Sequence, residues 1–157
     1  MPSYRTEAIV LRTHKLGEAD RIITFLTRER GKVRAVAKGI RRTKSKFGAR
    51  LEPFSRVDVL LHDGKNLDIV QQAELLSAYG NDMTLDYGLW TIGQTMLETA
   101  DRLTPEDNVP AESQYLLLVG ALRTLVSNEH VATSVLDSYL LRALSLAGYS
   151  PNLDECV

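Results

Sequence analysis

Only one cysteine, Cys156, occurs among the 157 residues, next to the last position. It cannot build an internal disulfide framework, which agrees with a reducing compartment. Long apolar runs are missing too: none approaches the roughly 18 residues that span a bilayer. The start, Met1-Pro2-Ser3-Tyr4-Arg5, lacks the hydrophobic segment of a secretory signal. A cytoplasmic protein with no membrane partner is expected. Gly-x-Gly-x-x-Gly, P-loop, His-Glu-x-x-His and Gly-x-Ser-x-Gly patterns are all absent. His14, His62 and His130 lie far apart in sequence, each among residues expected at the surface. No metal site or catalytic triad should be assembled from them, and an enzyme is not expected.

What is present begins with an apolar fraction of 44%, enough for a real core. The net charge of −1 hides a severe division along the chain. Residues 1–50 hold 14 Lys and Arg against four acids, a net of +10, whereas residues 51–157 hold five against 16, a net of −11. A run of like charge often only decorates a solvated face. Ten excess positive charges in 50 residues nevertheless repel one another strongly, and a polyanion such as a phosphate backbone relieves that repulsion.

Apolar periodicity divides the chain in the same sense. Residues 7–11, 21–27, 32–37, 56–62 and 67–72 read as short strands. Turns fall at Arg28-Glu29-Arg30-Gly31 and Asp63-Gly64-Lys65-Asn66. Five short strands in about 75 residues suit a small closed barrel, because closure removes the edges that an isolated sheet leaves open. From Ala78 onward the period lengthens to about 3.6. Stripes run through Leu89, Ile92, Met96, Leu97, Ala100 and Leu103, through Tyr115, Leu118, Val119, Leu122, Leu125 and Val126, and through Val135, Leu136, Tyr139, Leu140, Ala143 and Ala147. Gly148 reads as the cap that ends the third, and the stretch 105–110, bounded by two prolines, as a connector between helices. The expectation is an α+β protein, with a five-stranded OB-type barrel over residues 1–79 and a helical domain over 80–157.

The segment Val36-Ala37-Lys38-Gly39-Ile40-Arg41-Arg42-Thr43-Lys44-Ser45-Lys46-Phe47-Gly48-Ala49-Arg50 carries six cations and no acid. It is too polar for a core and too rich in glycine for a helix, so an exposed loop between the third and fourth strands is expected. Arginine forks and lysine point charges suit phosphates there. Lys38, Arg41, Arg42, Lys44, Lys46 and Arg50 form the candidate site, which Lys15, Arg21, Lys32 and Arg34 extend if their strands present the same face. Only Tyr4, Phe25, Phe47 and Phe54 are aromatic in the barrel region before Ala78, and some must fill its core. Base stacking, about 1–3 kcal/mol per base, is therefore expected to be minor beside phosphate neutralisation.

The joined pattern Gly17-Glu18-Ala19-Asp20-Arg21-Ile22-Ile23, Thr27, Gly31-Lys32, residues 36–46 and Leu51-Glu52-Pro53-Phe54 resembles the N-terminal domain of the RecO family. The resemblance implies a non-enzymatic DNA-repair and recombination mediator that is nucleoid-associated during repair. Such a protein binds single- and double-stranded DNA, anneals complementary strands, and acts with RecR to load RecA onto strands covered by single-stranded-DNA-binding protein. In the family, the helical domain is expected to take that protein's acidic, apolar-ended C-terminal tail.

The end, Gly148-Tyr149-Ser150-Pro151-Asn152-Leu153-Asp154-Glu155-Cys156, also resembles the family, in which the cysteine often begins a four-cysteine zinc site. The chain stops one residue later, so a truncation before the zinc-binding segment is expected. This chain should carry no cofactor, with zinc reserved for a full-length form, since one thiolate cannot fill a tetrahedral site. Leu140, Leu141 and Leu144 would then lack a cover and favour a dimer or domain swap. Two other readings stay open. One is an RNA- or ribosome-binding OB-fold protein, because phosphate contacts do not distinguish the sugars. The other is an adaptor whose basic loop docks a partner's acidic tail.

Overall fold

The computed structural model describes residues 2–42, 45, 47–104 and 108–149. Five strands come first: β1 (Ser3–Leu16), β2 (Asp20–Thr27), β3 (Gly31–Ala37), β4 (Ser55–His62) and β5 (Asp68–Ala78). Helices follow: α1 (Gly80–Met83), α2 (Tyr87–Leu103), α3 (Glu112–Ser127) and α4 (Ala132–Leu146). The strands close in the order β1-β2-β3-β5-β4, with β1 antiparallel to β4 and β3 parallel to β5 through Ala35 with Asp68 and Val36 with Ile69. This is the α+β, OB-type arrangement expected from the sequence.

Two strands run longer than their apolar patterns. β1 continues through Thr13-His14-Lys15-Leu16 because these residues pair with Ile23-Ile22-Arg21-Asp20 at the end of a projecting hairpin. There, no apolar alternation marks the strand. β5 continues past Gln72 because Ala73 to Ala78 pair with β4, and two register shifts break the alternation by which a strand is read.

Strand alternation builds two cores. Ala8, Val10, Ile23, Phe25, Val33, Val57, Val59 and Leu61 point into the barrel. Phe47 and Leu51, from the loop between β3 and β4, join them and are almost fully buried. The loop is expected from its polarity to be exposed; instead two apolar side chains fold back to fill the barrel end, while Lys38, Arg41, Arg42 and Arg50 stay outside. Ile9, Leu11 and Leu26 point the other way and are equally buried, beneath a second core with Met96, Leu97, Ala100, Tyr115, Leu118, Leu122 and Tyr139. Each such aliphatic side chain contributes about 2 kcal/mol when removed from water. The barrel wall and the helical stripes therefore supply each other's cover.

Polar contacts fix how the helices lie on the barrel. Asp101 of α2 receives Lys32 Nζ at 2.9 Å and Arg12 Nε at 2.8 Å on its two carboxylate oxygens. Lys32 Nζ also donates to the Asp101 carbonyl at 2.7 Å. Asn108 N donates to the Lys32 carbonyl at 3.0 Å, which ties the α2–α3 connector to the β2–β3 hairpin. Gly31, at φ +71°, makes that turn, and a Cβ there would lie 1.9 Å from the Val109 carbonyl oxygen. Gly93 permits a second close approach: its Cβ would fall 2.8 Å from Phe54 Cε1.

The expected helix cap appears at Gly148, φ +95°, where Tyr149 N donates to the Leu144 carbonyl and Gly148 N to that of Ser145. On α4, Leu140 packs half-buried on the second core, while Leu141 and Leu144 are exposed. No helix among the described residues is long and apolar enough to cross a membrane.

Two substitutions separate the two cores. Asp101→Ala leaves the poorly exposed Lys32 ammonium without its carboxylate and should cost about 3 kcal/mol, the low end for a broken buried pair. Phe47→Ala should cost about 3–5 kcal/mol through the cavity left in the barrel end. Urea unfolding of both variants, followed by circular dichroism, checks each figure.

Candidate nucleic-acid interface

The β1–β2 turn and the loop over residues 38–54 meet at one end of the barrel. Arg41 N donates to the Ala19 carbonyl at 2.9 Å, and Arg41 Nη1 to the Gly17 carbonyl at 2.9 Å. The Asp20 carboxylate accepts from Gly39 N at 2.7 Å. Farther along the loop, Phe47 N donates to Ser45 Oγ at 3.1 Å and Phe54 N to the Val10 carbonyl at 3.3 Å. The loop is thus held to the barrel at both ends and plugged into it at Phe47 and Leu51, which limits the ordering cost of engaging a ligand.

Strand register brings cations to the same end. Lys15 stands opposite Arg21, and Arg21 opposite Ala37, immediately before Lys38. Lys15, Lys38, Arg41 and Arg42 are exposed. Arg21 is half-buried, with Nη1 3.7 Å from Glu52 Oε1. The result is a cluster of Lys15, Arg21, Lys38, Arg41 and Arg42, with Asp20 and Glu52 acting inside it as braces.

Three other sequence-derived candidates lie elsewhere. Lys32 is drawn to Asp101 at the junction with the helices, because its position on β3 faces outward beneath α2. Arg34 is exposed on that outer face, in register with Thr24. Arg50 turns toward β5, where Nη1 reaches the Ala73 carbonyl at 3.4 Å. It lines a cleft of about 400 Å³ with Arg5, Gln71, Gln72 and Glu74. Lys44 and Lys46 lie outside the described residues.

Arg5 and Arg12 of β1, paired with Asp58 and Asp101, have no counterpart among the sequence-derived candidates. Arg5 precedes the apolar run by which the first strand was recognised, and Arg12 follows a shift of register between Val10 and Arg12 that only strand pairing reveals.

The barrel offers bases almost no stacking surface. Phe25, Phe47 and Phe54 are buried, and the Tyr4 ring is covered by the Arg30 guanidinium, 3.7 Å from its centroid. The Tyr4 hydroxyl donates to Asp68; burial and that carboxylate push its pKa above the usual phenol range. What remains at the surface is an array of cations suited to phosphate oxygens. The described residues do not fit a zinc site: no three His, Cys, Asp or Glu side chains among them are grouped as a metal requires, and Cys156 lies outside them.

Comparison with known proteins agrees along the whole length. Residues 1–79 match the family described as Recombination protein O N terminal, and residues 84–157 that described as Recombination protein O C terminal. The chain is 61% identical over 153 residues to the DNA repair protein RecO of Nocardioides sp., covering 98% of this chain and 63% of the relative. Against the DNA repair protein RecO of Thermobifida fusca it is 57% identical over 156 residues, covering 99% and 64%. Against that of Cutibacterium acnes it is 56% identical over 161 positions, covering 100% and 65%. It spans a little under two thirds of the length of these curated relatives. With both halves matched and more than half of all positions shared with each relative, the chain belongs to the RecO family of DNA repair proteins.

Proposed function

We propose that this chain is the DNA-binding portion of a non-enzymatic recombination mediator. It binds single- and double-stranded DNA through backbone phosphates, anneals complementary strands, and helps RecR load RecA in the cytoplasm. The observation that carries the reading is the convergence of Lys15, Arg21, Lys38, Arg41 and Arg42 at one barrel end of a RecO-family chain. Annealing requires phosphates to be screened while base edges stay free, and a basic surface with its aromatics withdrawn meets both needs.

Partner contacts fall to the helical half. A cleft of about 610 Å³ between α3 and α4 is lined by Leu116, Gly120, Val135, Tyr139 and Arg142. Apolar walls beside one guanidinium suit an acidic tail with an apolar terminus, as in single-stranded-DNA-binding protein. The exposed Leu141 and Leu144 support self-association as a further property.

Phosphate dominance sets a salt dependence. About five neutralised phosphates on a single strand, at a slope of roughly −0.7 each, give about a hundredfold loss of affinity between 50 and 200 mM salt. Fluorescence anisotropy with a labelled oligonucleotide measures it, and flat binding over that range overturns the reading. Replacing Lys38, Arg41, Arg42, Lys44 and Lys46 with Ala should weaken binding and slow annealing together; retained binding with lost annealing assigns the loop another role. Competition between matched DNA and RNA oligomers should favour DNA, and a preference for RNA points to the ribosomal alternative.

A further inference from the structure

The only tryptophan of the chain, Trp90, stands outside both cores. It is 39% exposed on α2 and stacks on Tyr87, which is 82% exposed. Their ring centroids lie 6.1 Å apart with 19° between the planes. Large aromatic side chains normally contribute most when buried, yet here two present ring surface to water side by side. Since every base has a π-face, such a pair accepts a base whatever its identity.

Position connects the pair to the cationic end of the barrel. Gly93, three residues beyond Trp90, presses on Phe54, and Gly80 lies against Pro53. The first half of α2 thus rests on the root of the basic loop. Gln94, one turn from Trp90 on the same helical face, lines a cleft of about 350 Å³ with Leu11 and Arg12 of β1. Arg12 leads along the strand to His14 and then Lys15, a member of the cation cluster. The helix that carries the aromatic pair thus lies, one turn beyond Trp90, beside the strand that carries Lys15.

The charges around the pair select what it can hold. Asp86 caps α2 by accepting from Leu89 N at 3.2 Å. Glu98 pairs with Arg102 at 2.8 Å, and Asp101 with Arg12 and Lys32. Asp82 adds a further acid on α1. No Lys or Arg occurs between Lys65 and Arg102. A phosphate is disfavoured in such surroundings, whereas a neutral base is not.

We infer that Tyr87 and Trp90 form a stacking platform for unpaired bases of a single strand whose backbone is held at Lys15, Arg41 and Arg42. This rests on the proposed DNA-binding function and adds a preference for single strands, because duplex bases are already stacked on one another.

Trp90 is its own reporter, since no other tryptophan contributes emission. The full chain is titrated at low salt with an oligothymidine of about 16 nucleotides, the upper site size of one OB fold. An abasic oligomer of equal length and a duplex serve as comparisons. Oligothymidine should quench Trp90 emission, and the abasic oligomer should bind without quenching. Replacing both Tyr87 and Trp90 with Ala should weaken oligothymidine binding about tenfold, leaving duplex binding and the salt slope unchanged. Trp90→Phe should retain most of the affinity, and Tyr87→Ala alone, at a highly exposed position, tests the platform without risk to the fold. Oligothymidine binding with unaltered emission and wild-type affinity in Tyr87→Ala overturns the platform while leaving the DNA-binding function standing. Failure of the wild-type chain to bind any DNA overturns both.

Discussion

The architecture depends on the outward face of β1 and β2 being covered by the helices. Ile9, Leu11 and Leu26 would be solvent-exposed on an isolated barrel, and the stripes of α2, α3 and α4 would be equally uncovered on an isolated bundle. Each surface removes the other from water, so the second core belongs to both halves of the chain. Apolar packing alone tolerates sliding. Asp101, gripped by Arg12 from β1 and Lys32 from β3, supplies directional contacts that hold α2 in one orientation. With the helices committed to this face, the end of the barrel formed by the β1–β2 turn and the β3–β4 loop is left for a ligand.

The same junction explains how the charge separation is used. Several cations of the first 50 residues are directed to carboxylates rather than to a ligand: Arg12 and Lys32 to Asp101, Arg28 to Glu7 and Glu112, and Arg5 to Asp58. Some of the positive excess thus joins the basic half of the chain to the acidic half. Lys15 stands exposed on β1 and Lys38, Arg41 and Arg42 on the loop beside it, where the backbone N–H groups of Gly39 and Arg41 are tied to Asp20 and Ala19. Under the proposed function, a cluster held in this way screens phosphates at little ordering cost. With Phe25 and Phe47 in the barrel core and Phe54 in the core beneath the helices, the barrel offers bases no ring to stack on, and the exposed aromatic pair is carried by α2 instead.

Much of this was legible along the chain because it depends on local repetition. The β-rich apolar run of β2 and the alternation in β3 and β4 mark strands, the change to a 3.6 period after Ala78 marks the helices, and Gly148 marks a helix end. Legibility failed where pairing rather than pattern makes the structure. Thr13 to Leu16 become strand only because β2 lies beside them, and the later residues of β5 only because β4 tolerates two shifts of register. Phe47 and Leu51 look like incidental apolar residues of a basic loop until the open end of a barrel requires filling.

The sequence by itself determined the α+β division, the concentration of positive charge in the first third, and the motif that joins the chain to its family. These are properties of order and composition, which neighbouring residues suffice to express. Only the tertiary structure decided which cations act together. Lys32 and Arg34 alternate on one strand face, and that face lies on the outer wall, where α2 reaches Lys32. Lys15 and Arg41, separated by a strand, a turn and a second strand, meet because barrel closure folds the loop back to Gly17 and Ala19. Charge is written residue by residue, but a binding surface is a set of distances, and those arise from how the barrel closes and where the helices come to rest.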